Sequence, residues 1–171
     1  ANSTAVSLGL SGYSYGQGGG TDEAGQTLTY TITSIPAYIT LWKADGTNQV
    51  TTTTTGLTQA DIQALKYKTI ANANNATAAN ITWTVKDNGG VGTDTLTETL
   101  SVTVTPVNDV PVRTAGTPVT ITVDEDSANS TAVSLGLSSY TYGVGGGSDE
   151  NSQTLTYTIT NIPASITLWK A

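Results

Sequence analysis

Apolar and polar residues alternate along much of this chain. Leu28, Tyr30 and Ile32 are separated by threonines. Ile81, Trp83 and Val85 repeat the pattern, as do Leu100, Val102 and Val104, and then Val119, Ile121 and Val123. A period of two puts one set of side chains on a buried face and the other in water. Threonine, being β-branched, suits the wet face of such a strand. Turn-forming stretches separate the runs: GQGGGTDEAG, KADGTN, KDNGGVGTD and PVNDVP. One segment departs from the period. In GLTQADIQALKYKT, Thr58 precedes Asp61 by three, and Ile62 precedes Leu65 by three. That spacing predicts a capped turn or two of helix between strands. Short strands with one helical turn predict an all-β fold of antiparallel β-sandwich type.

The pattern also repeats at long range. Residues 1–44 and 128–171 agree at 36 of 44 positions, an offset of 127 residues. Solenoid repeats are shorter, and this period is the size of a domain. The expectation is a tandem array of whole modules, of which this chain spans about one and a third. Among the differences, Gly12 becomes Ser139, Gln17 becomes Val144, Ala24 becomes Asn151 and Tyr38 becomes Ser165. These are expected in turns or at exposed positions. The prolines of PVNDVP interrupt sheet pairing and mark a boundary. Residues 1–110 then read as a module lacking its first strand, and 111–171 as the N-terminal half of the next. An open edge where the first strand belongs would attract a strand from another copy.

Composition narrows the function. The net charge is −7, with 6 basic and 13 acidic residues, and there is no cysteine or histidine. Nucleic-acid binding rests on lysine and arginine, so this balance argues against it. No stretch approaches a spanning helix, so no membrane insertion is expected in this segment. Without histidine or cysteine the usual imidazole-assisted nucleophile is excluded, and an enzyme is not expected. GQGGGTD lacks the lysine of a phosphate-binding loop. Oxygen-rich turns suit calcium, which takes carboxylate, carbonyl and amide oxygens.

Four motifs in order carry a resemblance. PVNDVP resembles the linker of cadherins and bacterial cadherin-like repeats. GGGSDENSQTLTYTIT resembles their acidic loop, TVDEDS their first-strand signature, and WTVKDNGG their strand end. The resemblance implies Ig-like, cadherin-like modules of a large bacterial surface adhesin or extracellular filament protein. It implies Ca2+ at the junctions between modules. On that pattern Asn108 and Asp109 would meet Asp149 and Glu150. Asp22, Glu23 and Asp87 would serve the preceding junction, and Glu125 a junction further on. The chain departs from the family in mid-domain, where TQADIQ offers Asp61 alone. Its acidic loop has adjacent Asp and Glu, not Asp-x-Asp. Both departures imply fewer than three ions per junction, one or none.

Each acidic pair taken singly reads as an ordinary turn former. Trp83 belongs to the inward phase of its strand, while Trp42 and Trp169 fall out of phase and face the other side. Tyr13, Tyr15, Tyr140 and Tyr142 lead into glycine-rich loops, where they read as loop-packing residues. Two function classes follow. The first is an extracellular or cell-surface stalk or extender module, whose partners are neighbouring modules or copies of the same protein. The second is a carbohydrate- or ligand-binding module contacting cell-surface glycans through Trp42 or the tyrosine loops. A strand-exchanging filament subunit is the third possibility.

Overall fold

The computed structural model describes residues 4–89, 94–125 and 132–170. The chain falls into two compact units, Ala1–Val107 and Asn108–Ala171. Every strand pairing in both is antiparallel, and the single α-helix among the described residues is short. The fold is all-β.

In the first unit, strands β1 (Val6–Ser7), β2 (Thr29–Ser34), β3 (Ile39–Trp42), β4 (Gln49–Val50), β5 (Lys66–Thr69), β6 (Asn75–Lys86) and β7 (Thr95–Val104) form two sheets. One has the order β1-β5-β3-β4, the other β2-β6-β7. Their inward faces share one core. Tyr30, Ile32, Ile81, Trp83 and Val85 come from one sheet, and Ile39, Leu41 and Val50 from the other. Leu100, Val102 and Val104 pack against that core from β7. The alternation read from the sequence is therefore the burial pattern of this unit.

Helix α1 (Gln59–Gln63) adds Ile62, with Leu65 following it, to the same core. Its capping box is complete. The Asp61 backbone N–H donates to the Thr58 hydroxyl at 3.2 Å, and the Thr58 N–H donates to Asp61 Oδ2 at 2.9 Å. That backbone bond, together with the bond from the Thr58 hydroxyl and Lys43 at 3.2 Å, holds the Asp61 carboxyl below its ordinary range. Because the folded value is lowered, the cap's stabilisation is present above the ordinary carboxylate pKa and is lost as pH falls through the lowered one.

Two tyrosines expected to pack glycine-rich loops rest on aromatic side chains of the sheet. The Tyr15 hydroxyl accepts from the Trp83 indole N–H at 3.0 Å, and its ring meets Tyr30 edge-on. Tyr13 lies edge-on to Trp83. Trp42 is half-buried: its indole N–H donates to Thr40 Oγ1, and Lys68 stacks over its ring at 4.1 Å.

Tyr38 was expected in a turn or at an exposed position; it lies in the turn before β3 and is nonetheless buried. Its hydroxyl donates to the Val102 carbonyl at 2.7 Å and accepts from the Ala79 N–H at 3.1 Å. The β6–β7 register shifts between Asn75 and Ala79. Such an irregularity leaves ladder groups without their usual partners, and the tyrosine hydroxyl satisfies two of them.

In the second unit, β8 (Val112–Ala115) pairs with β9 (Thr141–Gly143). Two predicted strands do not form. Val119, Ile121 and Val123 are exposed and outside any sheet. The stretch QTLTYTIT occurs at 26–33 and again at 153–160. The first copy contributes most of β2, paired with β6. Among the described residues no strand lies beside the second copy, and it is not part of a sheet. Alternation creates the capacity for a strand, and a neighbouring strand is what realises it.

Replacing Tyr38 by serine, the residue found at 165, removes a buried ring and strands two backbone groups. It is expected to cost the first unit about 3–5 kcal/mol, by analogy with other aromatic truncations. Tyr38→Phe should cost about 1 kcal/mol. Urea denaturation midpoints check both, and a serine variant as stable as the parent would contradict this account of β6.

Candidate functional site

The second unit begins with the linker residues Asn108 and Asp109, and its glycine-rich loop folds against them. Ser148–Glu150 form a single 3-10 turn after Gly145, Gly146 and Gly147. This turn resolves the problem posed by adjacent acidic residues. Glu150 points inward and is fully buried, while Asp149 is half-exposed. The Asp109 N–H donates to Glu150 Oε1 at 2.8 Å. Gln153 Nε2 donates to Asn108 Oδ1 at 2.9 Å. The loop thus grips the linker at two successive residues.

Gly146 makes the close approach possible. Its φ is +53°, a conformation that favours glycine. A Cβ there would lie 2.5 Å from Asp109 Oδ2 and 2.7 Å from the Glu150 side chain. A Cβ on Gly145, whose φ is +87°, would collide with the Val110 carbonyl oxygen. Asp109, Glu150 and the Val110 carbonyl therefore surround one glycine-lined corner. Glu150 Oε2 is buried there without a hydrogen-bond partner. A buried carboxylate oxygen lacking a donor carries a desolvation cost, which a cation would offset.

The first unit holds the corresponding loop. Asp22 and Glu23 sit in the 3-10 turn Thr21–Glu23, and Glu23 folds over Gly19 just as Glu150 folds over Gly146. Glu23 is only half-buried. Gln26, the counterpart of Gln153, packs against Gly89, and its Oε1 is buried without a partner. Asp87 accepts from the Gly89 N–H at 2.9 Å, and Asn88 Oδ1 accepts from the Thr27 N–H at 2.8 Å. Asp22, Glu23 and Asp87 thus lie in neighbouring turns, with Gln26 between the acidic turn and Asp87.

Asp61 is committed to the helix cap and to Lys43. Glu125 is exposed after the unpaired Val119–Val123 run. Among the described residues, no three carboxylates converge as a group able to hold a metal by themselves. The corner at Asp109 offers two carboxylates, with the Val110 carbonyl and the Asn108 amide nearby. Such mixed oxygen donors are those calcium accepts. Sequence reasoning missed Gln153 and Gly146. Both belong to stretches that are identical in the two copies, the GGG run and QTLTYTIT.

Tyr13, Tyr15, Leu96 and Glu98 line an open groove on the first unit. No helix among the described residues is long and apolar enough to cross a membrane. The chain matches no family model, no curated protein and no solved structure.

Gly146→Ala should push the Asp109 carboxylate out of its corner and weaken the bond from the Asp109 amide. Faster hydrogen exchange at that amide is the expected result. Gly25→Ala, at a position with open space around it, should leave it unchanged. Equal protection in Gly146→Ala would show that the glycine does not set this geometry.

Proposed function

We propose that this chain is a stalk or extender segment of an extracellular or cell-surface protein, built from tandem β-sandwich modules resembling cadherin-like repeats and stiffened by calcium at the linker. The observation that carries this reading is the buried Glu150, with one oxygen held by the Asp109 amide and the other without a donor beside the Asp109 carboxylate. Two carboxylates so placed repel each other, and a divalent cation turns the repulsion into a bridge. Asn108, Asp109 and Glu150 would hold the ion, with Asp149 at its margin. The ion would fix the linker against the acidic loop, which is the mechanical task of a spacer. The near-identity of the two copies supports a structural role, since a spacer gains from length.

Ligand binding by the groove at Tyr13 and Tyr15 is the weaker reading. Tyr15 is engaged with Trp83 and Tyr30 against the core, and Tyr13 lies edge-on to Trp83.

Calcium titration followed by amide shifts tests the proposal. Saturable shifts at Asp109 and Glu150 are expected, with Kd on the order of 10⁻⁴–10⁻³ M, the range of extracellular calcium modules. Asp109→Asn combined with Glu150→Gln should abolish them. Shifts that persist in this variant, or none at all at millimolar calcium, would refute a calcium-held linker.

A further inference from the structure

The sheet β1-β5-β3-β4 has one face on the core and the other in water. Leu41 stands opposite Val50 and Tyr67, and all three pack into the core. The alternate positions Thr40, Trp42, Gln49, Lys66 and Lys68 therefore share the outer face. That face runs against the charge of the chain. The sequence has 13 acidic and 6 basic residues, yet no acidic residue lies on a strand of this sheet, whereas Lys66 and Lys68 do. Two carboxylates near it in sequence are committed elsewhere. Asp45 accepts from the Asn48 and Thr47 backbone N–H groups, which lower its pKa to about 2. Asp61 serves the helix cap and pairs with Lys43. Among the described residues neither Lys66 nor Lys68 belongs to an ion pair.

The face is also ordered. The Lys68 ammonium stands 4.1 Å from the centre of the Trp42 ring, and the Trp42 indole N–H donates to Thr40 Oγ1 at 2.8 Å. Together these contacts fix the ring and hold a positive charge over it. Lys66 lies opposite Trp42 on the neighbouring strand. It is two residues from Lys68, which sets the two Cα atoms about 7 Å apart along β5. Both lysines are half-buried, as when an alkyl stem lies along a surface and its ammonium reaches water.

We infer that this face binds an anionic polysaccharide, a chain of sugars bearing carboxylate or sulfate groups. The two ammonium groups meet the acidic groups as point charges. The indole offers an apolar surface to the C–H face of a sugar ring, and the exposed Gln49 amide can both donate to and accept from sugar hydroxyls. The open face of a sheet, unlike a closed cleft, admits a chain that runs on past the site. An acidic peptide shares the charge but lacks the flat C–H face that an indole packs against. The inference does not rest on ion binding at Asp109, which lies in the other unit.

The experiment follows amide shifts of the intact chain titrated with polygalacturonate, dextran sulfate, neutral dextran and poly-glutamate. Saturable shifts at Thr40, Trp42, Lys66 and Lys68 are expected with polygalacturonate, dextran sulfate or both, and the polymer that binds names the acidic group. Lys66→Gln combined with Lys68→Gln should weaken binding roughly tenfold or more, tenfold being about 1.4 kcal/mol. Both substitutions lie on the wet face, so the amide spectrum of the core strands should stay that of the parent. Lys86→Gln combined with Arg113→Gln removes the same charge elsewhere and should leave binding unchanged. Equal binding by neutral dextran or by poly-glutamate would overturn the inference. So would a Lys66, Lys68 variant that binds like the parent, or the absence of shifts with both anionic polysaccharides.

Discussion

A β-strand in this protein exists only where another strand lies beside it. QTLTYTIT carries the same eight residues in both copies, so its intrinsic preference is the same in both. It forms most of β2 where β6 supplies hydrogen bonds and where Ile81, Trp83 and Val85 supply a buried face. It stays outside any sheet where neither is present. Sheet formation is thus a tertiary event, as expected when strand preference measures packing more than backbone inclination. A fully buried apolar side chain is worth about 1.5–3 kcal/mol. The difference between the copies is many such side chains gained or withheld together.

The same constraint explains why the acidic loops behave differently from the strands. A 3-10 turn closes its own hydrogen bonds within a few residues, so it needs no distant partner. Thr21–Glu23 and Ser148–Glu150 both form, each folding a glutamate over a positive-φ glycine. What differs is the cover. Asp109 lies against Glu150, which is fully buried, whereas Glu23 stays half-exposed. In the second unit the linker and the loop together form a socket into which the glutamate points. On the proposed reading a cation completes that socket.

Legibility in the sequence followed the range of the interaction. The capping box at Thr58 and Asp61 is local, and it is present as the spacing implies. The inward phase of Tyr30, Ile32, Trp83 and Val85 is also legible, because period two needs only one covered face. Tyr38 lies in a turn, as one limb of the expectation had it, but its burial was not legible, because that depends on an irregularity in a hairpin some forty residues away. Val119–Val123 was misjudged because its pattern is ideal for a strand, but among the described residues no strand lies beside it. In the candidate site, Asp109 and Glu150 stood out as acidic residues near a linker. Gln153 was hidden inside a strand-like run, although it grips Asn108 from outside any sheet.

Amide hydrogen exchange across the two copies of QTLTYTIT tests the central claim most directly, since composition and local sequence are matched within one molecule. The account predicts that those amides of 29–32 that donate across the β2–β6 ladder exchange on the order of a thousandfold more slowly than their counterparts among 156–159. Equal protection in the two copies would contradict it, because the strand would then be a property of the eight residues and not of the partner beside them.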